Sequence, residues 1–214
     1  MSVQLPDILS FCNVFNLRAN KHCQCRAVSH ASEKWLIDSG VLLPSGTEWS
    51  KAKVGLLVAA CYPNTDATQL RLITDFLSLQ LYRDEKAAAS GECVGQGDSG
   101  YVRADIVSCA KGISPSQTPN LVTVLMRERN ASLDSALVFA GTLIKQSADA
   151  FLEAEHEPLS SSDLGTDGEV QRYVLGLRDW IAGSVNWLYE TQRFLGERES
   201  EVRTFGWVFV PVAQ

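Results

Sequence analysis

Several features are scarce in this 214-residue sequence, and each scarcity excludes some classes of function. Basic residues are not in excess: 19 Lys and Arg stand against 25 Asp and Glu, for a net charge of −6. This balance argues against a nucleic-acid or anionic-lipid surface. Only three histidines occur, with no evident nucleophile near them, and there is no phosphate loop or nucleophile elbow. Nucleotide-binding and hydrolase classes therefore have no motif to support them.

Long apolar runs are also missing. No stretch approaches the roughly 20 residues that a membrane span needs, and the N-terminus shows no apolar signal segment. The six cysteines are then expected to be reduced thiols, with Cys61 and Cys109 buried inside helices. Cys23 and Cys25 lack a second pair at finger-like spacing, which does not favour zinc. We expect a cytoplasmic protein. The sequence contains no pattern that indicates its oligomeric state.

What is present is helical periodicity. With 45% hydrophobic residues, the chain can bury one sizeable core, which predicts a single domain over 1–214. Apolar residues recur at three- and four-residue spacing along four stretches, and this spacing is typical of all-α proteins. The predicted helices cover 47–61, 66–90, 121–157 with an internal break, and 167–195.

Two segments do not follow the helical pattern. Residues 90–100, SGECVGQGDSG, contain four glycines and are predicted to form a loop or linker. The tail 204–214, TFGWVFVPVAQ, is β-prone by composition, but no partner strand is evident elsewhere. We therefore expect this tail to pack as an extended segment without a sheet.

Four sequence blocks follow one another in a specific order. NKHC and SEKWLIDSG, with Trp35, come first, and AACYPNTDATQLRLITDFLSLQLYRDE follows with a Tyr62–Pro63 corner and an acidic end. ADIVSCAKGIS is then followed by PNLVTVLM, and YVLGLRDWIAGSVNWLYETQRFLG closes the series. Together these blocks resemble the fungal, basidiomycete-type class I terpene synthases, the sesquiterpene cyclases. The resemblance implies a class I terpenoid synthase-like helical bundle.

The resemblance also implies a reaction. Class I synthases ionise an allylic diphosphate such as farnesyl diphosphate and cyclise it, with Mg²⁺ ions stabilising the leaving group. In the family several helices separate the two metal motifs, whereas here only residues 87–103 do. The domain is therefore predicted to be incomplete, with an internal deletion of the central helices around 87–103.

Two metal ligands are implied by the resemblance, one on each motif helix. Asp84 stands where the family's leading metal-binding aspartate would be, with Ala88 one turn further on. In the second motif, of the form N-D-x-x-S-x-x-x-E, Ser108 is matched but Ala104 and Gly112 replace the asparagine and glutamate. Asp84 and Ser108 are the predicted Mg²⁺ contacts.

Three further residues are implied to bind the substrate diphosphate. Lys111 matches the family pattern and would act as a point charge. Arg193 and Phe194 stand where the family has an Arg-Tyr pair, and Phe194 lacks the tyrosine hydroxyl. Simpler roles remain open: Asp84 at a solvated helix end, Ser108 bonded back to a carbonyl, and Arg193 offsetting a helix dipole.

Two functions remain open at this stage. The chain is either a Mg²⁺-dependent cyclase of farnesyl diphosphate, or a catalytically inactive remnant that binds isoprenoids or a partner. The family resemblance favours the first hypothesis. The chemistry of the residues favours the second, because loss of Mg²⁺ ligands removes the electrostatic stabilisation on which ionisation depends.

Overall fold

Helices account for most of the described chain, which confirms the all-α prediction. The computed structural model describes residues 1–18, 25–42, 49–90, 101–111, 120–156 and 167–210. The predicted loop at 91–100 lies outside these residues. None of the described helices has the length and apolarity to cross a membrane.

Ten α-helical segments are described, and they differ widely in length. The four longest include the predicted helices at 66–90 and 131–157, the latter to its described end. In chain order the segments are α1 (Ile8–Phe11), α2 (Cys25–Asp38), α3 (Val54–Cys61), α4 (Ala67–Ser90), α5 (Tyr101–Ser108), α6 (Leu121–Glu128), α7 (Leu133–His156), α8 (Asp167–Glu190), α9 (Gln192–Leu195) and α10 (Glu199–Phe205).

Helix α3 forms the centre of the packing, against α2, α4 and α8. Its sequence, VGLLVAAC, is apolar all round, as a buried helix requires. Two glycines allow the close approach. A Cβ at Gly55 would lie 2.3 Å from the Ser29 Oγ of α2, and one at Gly183 of α8 would lie 2.5 Å from the Ala60 carbonyl carbon. No larger residue fits either contact without moving a helix.

The tail prediction was wrong, because the C-terminal segment does have a partner strand. Strand β1 (Ser2–Gln4) pairs antiparallel with β2 (Trp207–Phe209), with Val3 opposite Val208. Both valines are buried, while Trp207 and Phe209 point to solvent. A three-residue strand at the far end of the chain carries too little sequence signal to be recognised.

The predicted helix over 167–195 is also corrected. It ends at Glu190, and Thr191 caps the separate turn α9, where its side chain accepts a hydrogen bond from the Arg193 amide at 3.2 Å. Helical spacing places both Tyr173 and Val185 among the apolar positions of this helix, but Tyr173 is exposed whereas Val185 is buried. The apolar face of α8 is therefore buried only in the second half of the helix.

The buried thiols are as predicted. Cys61 and Cys109 are 2% and 0% exposed. Burial raises the pKa of the Cys61 thiol and raises that of Cys109 to about 11. Both thiols are therefore protonated at neutral pH and inert.

Candidate functional site

The predicted site residues lie on three helical segments, α4, α5 and α9. Asp84 is in the last part of α4, Ser108 ends α5, and Arg193 lies in α9. Helix α9 packs against α5, against the 3-10 turn Cys109–Lys111 that follows it, and against a second 3-10 turn, Ser50–Ala52. Residues distant in sequence are thereby placed at one end of the bundle.

A hydrogen-bond network fixes the position of α9. The Trp187 indole Nε1 donates to the Ala52 carbonyl at 2.7 Å, and the Thr191 hydroxyl donates to the Lys51 carbonyl at 2.9 Å. Because Trp187 and Thr191 are both buried, these bonds are shielded from competing water. They anchor the end of α8 on the turn that leads into α3.

Arg193 and Phe194 are ordered by this anchor. The Phe194 ring packs edge-on against Trp187, with centroids 5.9 Å apart. The Arg193 guanidinium carbon lies 5.7 Å from the centre of the Phe194 ring. Arg193 is part-buried and belongs to a short turn rather than to the last turn of α8, so it is poorly placed to offset the dipole of that long helix.

Asp84 and Arg193 are brought into electrostatic range of each other. Burial raises the pKa of the Asp84 carboxyl, while the positive charges of Arg193 and Arg83 oppose the rise. Asp84 is thus a part-buried carboxylate close to a fixed cation, which differs from a fully solvated helix end. The side chain of the neighbouring Glu85 lies outside the described part of the structure.

Ser108 takes part in a local network that sequence reasoning missed. Its hydroxyl donates to the Asp105 carbonyl at 3.0 Å, which is the back-bonded arrangement considered above, and accepts from the Asn120 amide at 3.4 Å. The Asp105 carboxylate accepts the Leu121 amide at 2.8 Å and so holds the start of α6 against α5. Burial raises the Asp105 pKa, and the Leu121 hydrogen bond opposes this. Asp105 is therefore engaged in structure.

The remaining predicted positions can be described only in part. Lys111 ends the 3-10 turn beside α9, and its side chain lies outside the described residues, as does Gly112. The turn that Lys111 ends packs against α9. Its role as a diphosphate contact stays a prediction.

Within the described residues, no group of three or more His, Cys, Asp or Glu side chains could hold a metal ion. Asp84 supplies one carboxylate, and the Ser108 oxygen is already hydrogen-bonded. Mg²⁺ is commonly held by one or two carboxylates together with substrate phosphates and water. The described residues therefore fit Mg²⁺ only if a bound diphosphate completes its coordination.

The all-α architecture agrees with the resemblance carried by the sequence blocks, and comparisons with known proteins show what the chain is similar to. No family model matches the chain. Sesquiterpene synthase 1 of Postia placenta is 39% identical over 99 residues, which is 46% of this chain and 29% of that protein. Sesquiterpene synthase Agr3 of Cyclocybe aegerita is 37% identical over the same share of the chain, and 27% of its own length is covered.

A third relative, the alpha-muurolene synthase of Coprinopsis cinerea, is 34% identical over 99 residues, again 46% of this chain, with 23% of its own length covered. The chain thus aligns with less than a third of each of these relatives. The resemblance to basidiomycete sesquiterpene synthases is confirmed, and this partial coverage fits an incomplete terpene synthase-like domain.

Proposed function

We propose that this chain binds the diphosphate group of an isoprenoid diphosphate, such as farnesyl diphosphate, at α9, beside the end of α5 and within electrostatic range of Asp84 in α4. The observation that carries the proposal is the packing of α9, which bears Arg193, against α5 and the turn that ends at Lys111. The charge of Arg193 also acts on the carboxyl of Asp84, 109 positions earlier in the chain, and opposes the rise of its pKa. A cation fixed in a part-buried turn is a suitable partner for phosphate oxygens, and Arg binds them in a bidentate manner.

Each residue has a distinct part in this binding. Arg193 would hold the phosphate oxygens directly, and Lys111 would add a second positive charge from the neighbouring turn. Asp84 would take up Mg²⁺ only once the diphosphate supplies further oxygen ligands. When bound, Mg²⁺ would supply Lewis-acid stabilisation of the diphosphate charge. The Phe194 ring would pack beside Arg193 and contribute no hydrogen bond, because it lacks a hydroxyl.

We further propose that cyclisation is lost or greatly reduced compared with the relatives. Ala104 and Gly112 offer no side-chain oxygen, and the Ser108 hydroxyl is engaged with Asp105 and Asn120. Ionising the allylic diphosphate requires strong stabilisation of the leaving group, which one carboxylate-held cation supplies only weakly. We also propose that the shortened connection around 87–103 reflects an internal deletion.

Product analysis tests this proposal. The purified chain would be incubated with farnesyl diphosphate and Mg²⁺, with an EDTA control, and extracts examined by gas chromatography with mass detection. The same samples would be tested for binding by calorimetry. We expect saturable binding of farnesyl diphosphate, no binding of farnesol at this site, and no Mg²⁺-dependent hydrocarbon. Abundant cyclised product would establish an active synthase, and absence of binding would refute the proposal altogether.

A further inference from the structure

Strand β2 has an outer edge that β1 does not occupy. The Gly206 carbonyl and the Val210 amide, on either side of β2, bond to the chain that flanks β1, at 2.7 and 2.8 Å. Backbone groups alternate in direction along a strand, so those of Val208 also face β1, whereas those of Trp207 and Phe209 face away from it. Among the described residues, no backbone hydrogen bond reaches these outward groups.

The side chains at this edge form an exposed aromatic patch. Trp207 is 49% exposed and Phe209 is 61% exposed, and both lie on the opposite face of the ribbon from the buried Val208. The outward positions of β1 carry the polar residues Ser2 and Gln4 instead. Aromatic side chains are enriched in protein interfaces, whereas most of an ordinary surface is polar or charged. The edge of β2, rather than that of β1, therefore favours a protein partner.

The edge of β2 is complementary to itself. If two copies meet antiparallel about a two-fold axis at Val208, Trp207 of each copy lies opposite Phe209 of the other. Both residues direct their amide and carbonyl outward, so each of these two pairs can exchange two backbone hydrogen bonds. Directly opposed side chains on neighbouring strands have Cβ atoms about 5 Å apart, which brings the two rings within the range of aromatic pairing. A second copy thus satisfies both the backbone and the aromatic side chains.

The cation beside the patch adds little repulsion between two copies. The Arg198 guanidinium carbon lies 4.7 Å from the centre of the Phe209 ring, and the same guanidinium is paired with Glu201 at 3.0 Å. The carboxylate offsets the positive charge where the two copies would meet. The net charge of −6 on each chain still repels a second copy at longer range, and added salt screens this repulsion.

We propose that the chain self-associates through β2 into a two-fold dimer, in which both ribbons join into one antiparallel sheet of strand order β1-β2-β2-β1. A two-stranded ribbon is marginal by itself, and a wider sheet is more stable. From their exposure, the four rings would bury about 500 Å² of apolar surface, well below the ~1,200 Å² of stable interfaces. The dimer is therefore weak and reversible, with a Kd of about 10 µM to 1 mM. The proposal does not depend on the diphosphate site.

Sedimentation velocity over a concentration series from about 10 µM to 1 mM tests the dimer. The mass should rise reversibly from 23.4 kDa towards twice that value, and added salt should strengthen the association. Phe209→Ser should weaken it at least about tenfold, because each dimer loses two rings. Phe76 of α4, which is 58% exposed, is the matched control, and Phe76→Ser should leave the affinity unchanged. A monomer at every concentration, or weakening by Phe76→Ser alone, would overturn the proposal.

Amide hydrogen exchange of the wild-type chain, followed by NMR at low and high protein concentration, identifies the edge that pairs. The amides of Trp207 and Phe209 should exchange several-fold more slowly as the dimer forms, because they become hydrogen-bonded to the second copy. The amides of Ser2 and Gln4, outward on the other edge of the ribbon, serve as internal controls and should not change. Slowing at Ser2 and Gln4 instead, or self-association without any slowing at Trp207 and Phe209, would refute pairing through β2.

Discussion

Replacing Gly183 by alanine tests the close packing of α8 on α3, on which the position of α9 depends. A Cβ at this position would lie 2.5 Å from the Ala60 carbonyl carbon and 2.7 Å from the Ala60 oxygen. Carbon atoms in contact normally lie about 3.5 to 4 Å apart, so the two helices would have to separate by about 1 Å. Overpacking of this kind costs about 1 to 3 kcal/mol.

Gly176 in the same helix is the matched control. A Cβ there would have no atom within 4 Å, so Gly176→Ala gains only the higher helix propensity of alanine, about 1 kcal/mol. Both substitutions change the unfolded chain alike. Both also gain the same helix propensity, so the difference between them isolates the packing term, and Gly183→Ala should be less stable than Gly176→Ala by about 1 to 3 kcal/mol.

Urea unfolding followed by far-ultraviolet circular dichroism would measure the two free energies of unfolding. We expect Gly183→Ala to fall below wild type and Gly176→Ala to match or exceed it, with similar m values. If Gly183→Ala proved as stable as Gly176→Ala, the close contact of α8 with α3 would be wrong. The anchoring of α9 would then lose its basis.

Three other predictions concern single groups. Arg193→Ala should weaken diphosphate binding, measured by calorimetry, about tenfold to a hundredfold, because charged hydrogen bonds to the phosphate are lost. Arg172→Ala, on the exposed part of α8, should leave the affinity unchanged. Cys109, with its pKa raised to about 11, should resist iodoacetamide at pH 8, while the part-exposed Cys25 should react. Peptide mass spectrometry would show which thiol is labelled, and rapid labelling of Cys109 would contradict its burial. Folding raises the pKa of Asp105, so the contribution of this carboxyl to the free energy of unfolding should increase as the pH falls through the raised pKa and level off below about 4. Asp105→Asn should remove this pH dependence from urea unfolding measured at a series of pH values.

Local periodicity was enough to predict the helical architecture. Helices α4 and α7 follow directly from apolar residues that recur every three or four positions. Helix α3 follows from its apolar run, but it begins at Val54 rather than at 47 as predicted, because Ser50–Ala52 form a separate 3-10 turn and Lys53 is left-handed. The break at Thr191 was not predicted, because it depends on a tertiary hydrogen bond to the Lys51 carbonyl that no local pattern reveals. The tail was mispredicted for a similar reason, since β2 pairs with a strand about 200 residues away.

The candidate site was predictable only through the family resemblance. Nothing in the spacing of Asp84 and Arg193 indicates that the charge of Arg193 acts on the Asp84 carboxyl, because this effect arises only in the folded chain. The Asp105 network was missed although Asn120 was a recognisable helix-start residue. Its side chain accepts the Thr123 amide while its amide group reaches Ser108, and only the fold brings these groups together.

Calorimetric titration of farnesyl diphosphate in the presence of Mg²⁺, into the wild-type protein and into Arg193→Ala, tests the central claim most directly. The account predicts saturable binding by the wild type, weakened at least tenfold by the substitution and reduced when EDTA removes the metal. Equal affinities for the two proteins, or no binding to a folded wild type, would contradict a diphosphate site at α9.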